Sequence, residues 1–161
     1  MTPPTLGTLA VGALEYAREV RTERDKIFTR VLIDEMPIKV EFVLEGRIDL
    51  EGDVDPTLGI PVLSKVDMYA EKLLATADRG LDGSTLSRDL IDLAMMIDAW
   101  GPVPPEAWKK TEGAYGVAIH EAVRKARVLL EGGDRLGDCM RAMQMDARLR
   151  DRIGSSLETL E

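Results

Sequence analysis

The chain of 161 residues is long enough for one domain with its own hydrophobic core, and its 45% hydrophobic and 31% charged residues are typical of a globular protein. The net charge of -8 and the aromatic content of 4% argue against an extended nucleic-acid groove, which needs clustered cations and stacking rings. With one cysteine and one histidine, the chain by itself can form neither a disulfide nor a His/Cys zinc site.

Neither a targeting signal nor a membrane span is found in the sequence. The start, Met1-Thr-Pro-Pro, lacks the basic residues and the apolar core of a secretion signal. No uncharged apolar run is long enough to cross a bilayer. The sequence therefore predicts a cytoplasmic protein without a membrane partner.

The N-terminal part is predicted to contain a helix and a β-hairpin. Apolar residues spaced three and four apart predict a helix from Thr5 to about Arg21. Two runs rich in β-branched and aliphatic residues follow, Ile27–Ile33 and Ile38–Leu44, and turn formers at 34–37 separate them. In the second run Lys39 and Glu41 share one face of the strand. Its apolar residues are expected to pack inward: Ile38, Val40, Phe42 and Leu44.

The middle of the chain is predicted to change from an irregular segment to helices. The segment from Gly46 to Pro61 is rich in Gly, Pro and acidic residues and is predicted to be a loop. Ser64, followed three residues later by Asp67, is typical of a helix start of the capping-box type. Gly80 is predicted to end this helix, and a second helix is predicted to end at Trp100-Gly101-Pro102.

The remainder of the chain is predicted to be helical. A proline in the first turn of a helix loses no needed hydrogen bond, which favours a helix from Pro105 to about Leu130, interrupted near Gly113 and Gly116. A last helix is predicted from about Arg135 to Ile153, and the residues after it are expected to fray.

These elements together predict an α+β fold, in which an N-terminal helix and a β-hairpin precede a mostly helical bundle of about four helices. Residues 1–161 are predicted to form a single domain. Within it, residues 1–62 are the sheet region and residues 63–161 are the helical part.

Charged residues on the first two bundle helices form the main candidate site. Lys72 and Arg79 lie on one flank of the first helix, two turns or roughly 10 Å apart, a spacing that suits two groups binding one polyanion. A solvated helix flank is the simpler interpretation. On the next helix Arg88 and Asp92 are four residues apart and can pair. Asp89 lies in the first turn, where the helix dipole favours a carboxylate.

Two other features have structural explanations. An alternating acidic run carries Val54 at the sixth position, where a calcium loop of the helix-loop-helix type requires glycine, which argues against a cation site there. That run consists of Asp49, Glu51, Asp53 and Asp55. His120 lies among small and apolar helix residues and is interpreted as a partly buried helix residue instead of a catalytic base.

Three motifs stand in a fixed order along the chain. Lys39-Val-Glu41 lies on a predicted strand, and Asp67-x-x-Ala-Glu-Lys72 with Asp78-Arg79 lies on the first bundle helix. Arg88-Asp89-x-x-Asp92-Leu93 begins the next helix. In this order, from about Lys39 to Ile97, the sequence resembles the AbiEii/AbiGii-type nucleotidyltransferase toxin family of abortive-infection systems. That family has the polymerase-β-like nucleotidyltransferase fold.

The resemblance implies roles for the residues of these motifs. Glu41 would match the acidic residue of the third active-site strand, a metal ligand that partners two aspartates. Lys72 would lie near the triphosphate as a compact cation. The nucleotide-binding residues implied are Lys39, Lys72, Arg79 and Arg88. The catalytic acids implied are Glu41, Asp89 and Asp92. An active enzyme would use Mg²⁺ and a nucleoside triphosphate, and an antitoxin protein would accompany it.

The sequence departs from the family pattern before Lys39. The Gly-Ser turn and the Asp-x-Asp strand of the family are not found there, and Asp53-Val54-Asp55 follows the Lys39 strand instead of preceding it. One strand carboxylate, Glu41, cannot hold a two-metal site. We therefore expect a truncated or decayed nucleotidyltransferase-like toxin, catalytically incomplete in this chain, in which residues 1–62 are the remnant of the sheet.

A non-catalytic helical interaction module is the alternative function. In this interpretation the charged residues of the helices are structural, and the protein acts as a homodimer or with a partner protein. A hairpin that lacks neighbouring strands would expose an apolar edge. Because an unpaired sheet edge recruits another strand, the sequence predicts a homodimer.

Overall fold

The computed structural model describes residues 21–23 and 26–160, which divide into two compact units at Gly46 and Arg47. The helix predicted from Thr5 to about Arg21 lies outside the described residues, except for Arg21 itself. Arg21 belongs to a short strand instead of a helix.

The N-terminal unit contains an antiparallel sheet in the order β1-β2-β3. The strands are β1, Arg21–Thr22; β2, Lys26–Ile33; and β3, Met36–Val43. Asp34 and Glu35 form the turn between β2 and β3 with φ of 49° and 64°, the combination that a two-residue type I′ turn requires. The predicted β-hairpin is confirmed, with Ile33 opposite Met36 and Lys26 opposite Val43.

The predicted inward packing of the β3 side chains is wrong. Ile38 and Phe42 are each 40% exposed and Leu44 is 72% exposed, while Val40 is half-buried. The buried side chains of this hairpin are on β2 instead. Within the described part of the chain β3 has a strand neighbour on one side, and an edge strand leaves its side chains more accessible than a central one. The expected exposed apolar edge is therefore present.

The segment predicted as a loop contains a second, two-stranded sheet. Strand β4, Gly52–Val54, pairs antiparallel with β5, Pro61–Leu63. The turn between them is shaped by Asp55, whose carboxylate accepts hydrogen bonds from the backbone N–H groups of Thr57 and Leu58 at 2.9 and 2.8 Å. The loop prediction was wrong here because the strands are only three residues long and carry no clear alternation.

The second unit contains six α-helices among its described residues, and with the sheets they confirm the α+β fold. They are α1, Lys65–Arg79; α2, Arg88–Trp100; α3, Pro105–Tyr115; α4, Ala118–Glu131; α5, Arg135–Ala142; and α6, Arg150–Glu158. The predicted number, about four, was too low because two predicted helices are each divided. Gly116, at φ 63°, separates α3 from α4, whereas Gly113 lies inside α3.

The predicted last helix is wrong in its extent. Gln144 adopts φ 57°, and a 3₁₀ turn at Ala147–Leu149 separates α5 from α6. The expected fraying of the last residues is also wrong, since Leu157 and Leu160 are buried. Arg127 Nη1 donates a hydrogen bond to the backbone oxygen of Leu160 at 2.5 Å, which fixes the end of the chain to α4.

Helix α1 is the centre of the helical unit and packs against α2, α3 and α4. Its close approach to α4 requires a glycine, because a Cβ on Gly80 would lie 2.4 Å from the Thr76 oxygen and 2.7 Å from the Ala126 Cβ. Burial of the apolar faces of these helices supplies the main stabilisation of the unit. The largest fully buried side chains include Tyr69, Leu73, Leu74, Leu90, Leu93, Ile119 and Leu130.

Candidate functional site

A buried carboxylate, Asp89, lies between two cations at the junction of α1 and α2. Asp89 occupies the first turn of α2, and its side chain is 4% exposed. Arg79 donates from Nε to Oδ2 at 2.6 Å and from Nη2 to Oδ1 at 2.9 Å, a bidentate pair. Lys72 Nζ donates to Asp89 Oδ1 at 3.2 Å and to Asp92 Oδ2 at 2.5 Å. We call these four residues the Asp89 cluster.

The cations keep Asp89 ionised despite its burial. Burial by itself raises the pKa of a carboxyl group. For Asp89 the hydrogen bonds from Arg79 and Lys72 outweigh this effect, so its pKa lies below the ordinary value. The hydrogen bonds that Arg79 donates to Asp89 in turn raise the pKa of Arg79. The cluster therefore contains a charged carboxylate that holds two cations in place.

The outer members of the Asp89 cluster are accessible to solvent. The side chains of Lys72, Arg79 and Asp92 are 31%, 45% and 53% exposed. Arg79 has five N–H donors and Lys72 has three, and the hydrogen bonds to the two aspartates use two donors of each residue. The cluster thus presents oriented positive groups at the protein surface.

Arg88 does not take part in this cluster. The predicted Arg88–Asp92 pair is not formed, because the Asp92 carboxylate contacts Lys72 on α1 instead. Arg88 is exposed at the start of α2. A contact across two packed helices has replaced the local contact that the four-residue spacing predicted.

Lys39 and Glu41 lie on β3 in the N-terminal unit and form an ion pair there. Lys39 Nζ lies 2.8 Å from Glu41 Oε1, and the two side chains are 62% and 44% exposed. They share one face of the strand, as the alternation predicted. No group of three His, Cys, Asp or Glu side chains that could hold a metal ion occurs within residues 21–23 and 26–160.

Asp67 is a second buried carboxylate, whose importance the sequence pattern did not reveal. Its side chain is 0% exposed, and it accepts hydrogen bonds from the Glu51 backbone N–H at 2.6 Å, Ser64 Oγ at 2.9 Å and Lys110 Nζ at 2.6 Å. Ser64 caps α1 as predicted, since its Oγ accepts from the Asp67 N–H at 3.1 Å. The reciprocal half of a capping box is absent here, because the Ser64 N–H donates to the Glu51 oxygen.

The position of Asp67 explains both its charge and its burial. Burial raises its pKa, but the hydrogen bonds from Lys110, Glu51 and Ser64 outweigh that effect and hold the pKa below its ordinary value. A signal for burial was present in the sequence, since Asp67, Ala70 and Leu74 follow the three-four spacing of a buried helix face. Asp67 fixes the segment before α1 to α3 through Lys110.

A third cluster joins the end of α1 to α3. Arg47 Nη1 donates to Asp78 Oδ2 at 2.7 Å and lies 3.1 Å from the Tyr115 hydroxyl oxygen. The Tyr115 hydroxyl donates to Asp78 Oδ1, and this hydrogen bond, with burial, raises the pKa of Tyr115. The segment before α1 is thus fixed near both ends of that helix, at Asp67 and at Asp78.

His120 is a half-exposed residue of α4, in agreement with its interpretation as a helix residue. Its ring stacks on Trp108 with centroids 4.5 Å apart and planes inclined by 16°. Its Nε2 lies 2.6 Å from Glu112 Oε1. These contacts join α4 to α3, the two helices that Gly116 separates.

Comparison with known proteins identifies the family. Residues 12–159 match the family model described as nucleotidyl transferase AbiEii toxin, type IV TA system. The chain belongs to this family. No curated protein and no solved structure matches the chain significantly.

Membership of the AbiEii family confirms the resemblance carried by the three motifs. The match to the family extends well beyond residues 39–97 on both sides. The family places the chain among nucleotidyltransferase-like toxins of toxin–antitoxin systems, so an antitoxin is the expected partner at the level of the family. Among the described residues, no helix is both long and apolar enough to cross a membrane.

Proposed function

We propose that the helical unit of this toxin-family chain binds the phosphates of a nucleoside triphosphate in the cytoplasm, with Lys72 and Arg79 as the binding cations. The Asp89 cluster is the observation that supports this proposal. Asp89 holds both cations at the surface before a ligand arrives, so less side-chain entropy is lost on binding. Arg79 suits a planar, bidentate phosphate contact and Lys72 suits a compact point contact.

In this proposal phosphate oxygens replace the Asp92 carboxylate as the partner of Lys72. Asp92 is 53% exposed and contacts Lys72 alone among the cations of the cluster, so it is the group that phosphate oxygens displace. Asp89 stays in place because Arg79 holds both of its oxygens. Asp89 is therefore a positioning residue, and Arg88, exposed at the same end of α2, is a further candidate for phosphate contact.

We propose that this chain by itself binds nucleotide without transferring it. Transfer in the polymerase-β-like fold needs carboxylates that hold Mg²⁺. By the family resemblance Glu41, with its strand neighbour Lys39, would supply one such carboxylate, and the described residues assemble no group of three potential ligands. These residues do not fit a two-metal centre, so no catalytic step is assigned to them.

Calorimetric titration of the full chain with each of the four ribonucleoside triphosphates, with and without Mg²⁺, tests the binding proposal. We expect one saturable site, weakened by about 10- to 100-fold in Lys72→Ala, because a charge-assisted hydrogen bond contributes about 1.5–3 kcal/mol. Lys125→Ala is the matched control, since Lys125 also pairs with a helix carboxylate but lies on α4. Absence of binding, or equal losses in both variants, would reject the proposal.

A structural role is the second candidate, since the Asp89 cluster also clamps α1 to α2. In that case the chain is a non-catalytic interaction module, and Lys72→Ala lowers the free energy of unfolding while no triphosphate binds. Measuring unfolding and titration on the same variants separates the two roles. A transfer assay with a triphosphate labelled at the α-phosphate tests incompleteness, and labelled product from this chain would reject it.

The cellular function is proposed to be that of a toxin opposed by an antitoxin, and the support for it is the family. Since transfer is proposed to be lost, induced expression of the chain is expected to slow growth only through the binding of nucleotide, and co-expression of an antitoxin is expected to relieve the effect. A Lys72→Ala variant that retains full toxicity would separate the toxicity from the binding of nucleotide.

A further inference from the structure

We propose that β3 pairs antiparallel with β3 of a second copy, around a two-fold axis at Val40, and so joins two sheets into one. This pairing involves the N-terminal unit and is independent of nucleotide binding. The two strands pair in one register. That register follows from the backbone pattern of the hairpin and from the order of side chains along β3.

The turn fixes which backbone groups of β3 face away from β2. A two-residue turn is closed by a hydrogen-bonded pair, here Ile33 and Met36, and hydrogen-bonded and non-hydrogen-bonded pairs then alternate along an antiparallel ladder. Residues 37, 39, 41 and 43 therefore direct their backbone groups outward. Within the described part of the chain no strand pairs with that side of β3. Pro37 stands at an outward position, where a proline of an edge strand is tolerated.

An axis at Val40 brings these outward groups into register. Lys39 then lies opposite Glu41 of the second copy, and Glu41 lies opposite its Lys39, with backbone hydrogen bonds exchanged in both pairs. Val43 lies opposite Pro37 of the second copy and donates to its carbonyl oxygen. The missing N–H of proline removes one hydrogen bond at each end and leaves the centre intact.

The side chains select this register over its neighbours. Opposite charges face each other across the strands on the polar face, and Ile38 faces Phe42 of the second copy on the apolar face, where both are now 40% exposed. Moving the axis by one residue to position 39 or 41 places Lys39 opposite Lys39, or Glu41 opposite Glu41. Like charges directly opposite each other are destabilising.

The monomer leaves Lys39 in an unfavourable position on the sheet. Its cross-strand neighbour on β2 is Arg30, a like charge, and its ion pair with Glu41 runs along the same strand. Pairing with a second copy places an acid directly beside Lys39 on its other side. Burial of the exposed apolar residues of β3 adds to the association.

Light scattering combined with gel filtration at micromolar concentration tests the proposal, and the wild-type chain is expected to be a dimer. Lys39→Glu and Glu41→Lys should each weaken dimerisation by at least about tenfold, since each places like charges opposite each other. An equimolar mixture of the two variants should regain a dimer, because one chain then carries two acids and the other two lysines. Lys109→Glu, an exposed residue of α3, is the control for the same charge change.

Cysteine crosslinking reads the register directly. Two Val40→Cys chains would meet at the axis as a non-hydrogen-bonded pair, whose Cα separation of about 4.5 Å allows a disulfide. Lys39→Cys chains should not crosslink, because their cysteines are offset along the strands. A monomeric wild type, unaffected single variants, a mixture that stays monomeric, or crosslinking at 39 instead of 40 would each overturn the proposal.

Discussion

Arg79 and Asp89, ten residues apart in the chain, form a bidentate ion pair that joins the last turn of α1 to the first turn of α2. The connection between these helices includes a 3₁₀ turn at Gly83–Thr85 and two left-handed residues, Leu86 and Ser87, at φ 54° and 52°. Such backbone conformations are uncommon for residues other than glycine. The ion pair therefore helps hold the two helix ends that this connection must join.

Replacing Asp89 by asparagine is expected to lower the free energy of unfolding by about 1.5 kcal/mol, the low end for hydrogen bonds to charged groups, because both cations keep access to water. Asn preserves the volume of the side chain but removes its charge. Urea unfolding measures the change. Asp92→Asn is the control and should have a clearly smaller effect, because Asp92 is 53% exposed. Equal losses of unfolding free energy in the two variants would show that burial does not determine how much Asp89 stabilises the protein.

Asp67 and Asp89 make the free energy of unfolding depend on pH in the acid range. Their folded-state pKa values lie below the ordinary 3.8, so the unfolded chain takes up protons first as the pH falls. The stability they contribute is complete above 3.8 and is lost as the pH falls through the folded-state values. Urea unfolding at a series of acid pH values should show this loss, and Asp67→Asn should make the dependence shallower. An unchanged dependence would contradict it.

Lys110→Met should lower the free energy of unfolding near neutral pH and shift its pH dependence, because Asp67 then no longer contributes to the loss of stability in acid. The variant keeps the length of the side chain but leaves the buried Asp67 carboxylate without its cation, so burial then dominates its pKa. The same urea series measures the shift. Lys109 is exposed and lies one residue earlier on α3, so Lys109→Met should have the same pH dependence of the free energy of unfolding as the wild type.

Two glycine substitutions should change stability in opposite directions. Gly80→Ala places a Cβ 2.4 Å from the Thr76 oxygen and 2.7 Å from the Ala126 Cβ, and this overpacking should cost about 1–3 kcal/mol. Gly113→Ala lies inside α3 with nothing within 4 Å of the new Cβ, and it should stabilise by about 0.5–1 kcal/mol. Thermal unfolding of both variants checks the signs, and a stabilised Gly80→Ala would contradict the close contact of α1 with α4.

The last helix is expected to contribute to global stability. Leu157 is 1% exposed, and Leu157→Ala should lower the free energy of unfolding by about 2–5 kcal/mol, as for other core leucines. Leu81→Ala is the control, because Leu81 is 58% exposed. If both variants unfold like the wild type, the end of the chain frays as the sequence had suggested.

Short-range patterns predicted the elements whose boundaries carry strong local signals. Ser64 caps the start of α1 with its side chain, Pro105 stands in the first turn of α3, and Gly116 separates α3 from α4. The break between α5 and α6 was missed because Gln144, not a glycine or proline, takes the left-handed conformation there. The side-chain alternation of β3 was read correctly, but its burial was not, because alternation does not say whether anything covers the face.

The sequence pattern included the four residues of the Asp89 cluster in a larger candidate set, but it did not predict the contacts among them. The spacing on α1 brought Lys72 and Arg79 to attention, and the motif on α2 did the same for Asp89 and Asp92. That Asp92 pairs with Lys72 and leaves Arg88 outside became visible only with the two helices packed together. The buried role of Asp67 likewise depends on Lys110, 43 residues away in the chain.

The amino-acid order alone was sufficient for the α+β class, the β-hairpin, the helix starts at Ser64 and Pro105, and the family, because each depends on contacts or motifs within a few residues. The packing of the chain settled which charges are buried, which cations share a carboxylate, and that the last helix is held in place. Those outcomes depend on the dehydration of groups brought together from distant positions, and a buried carboxylate such as Asp89 is stable only where its partners arrive from another helix.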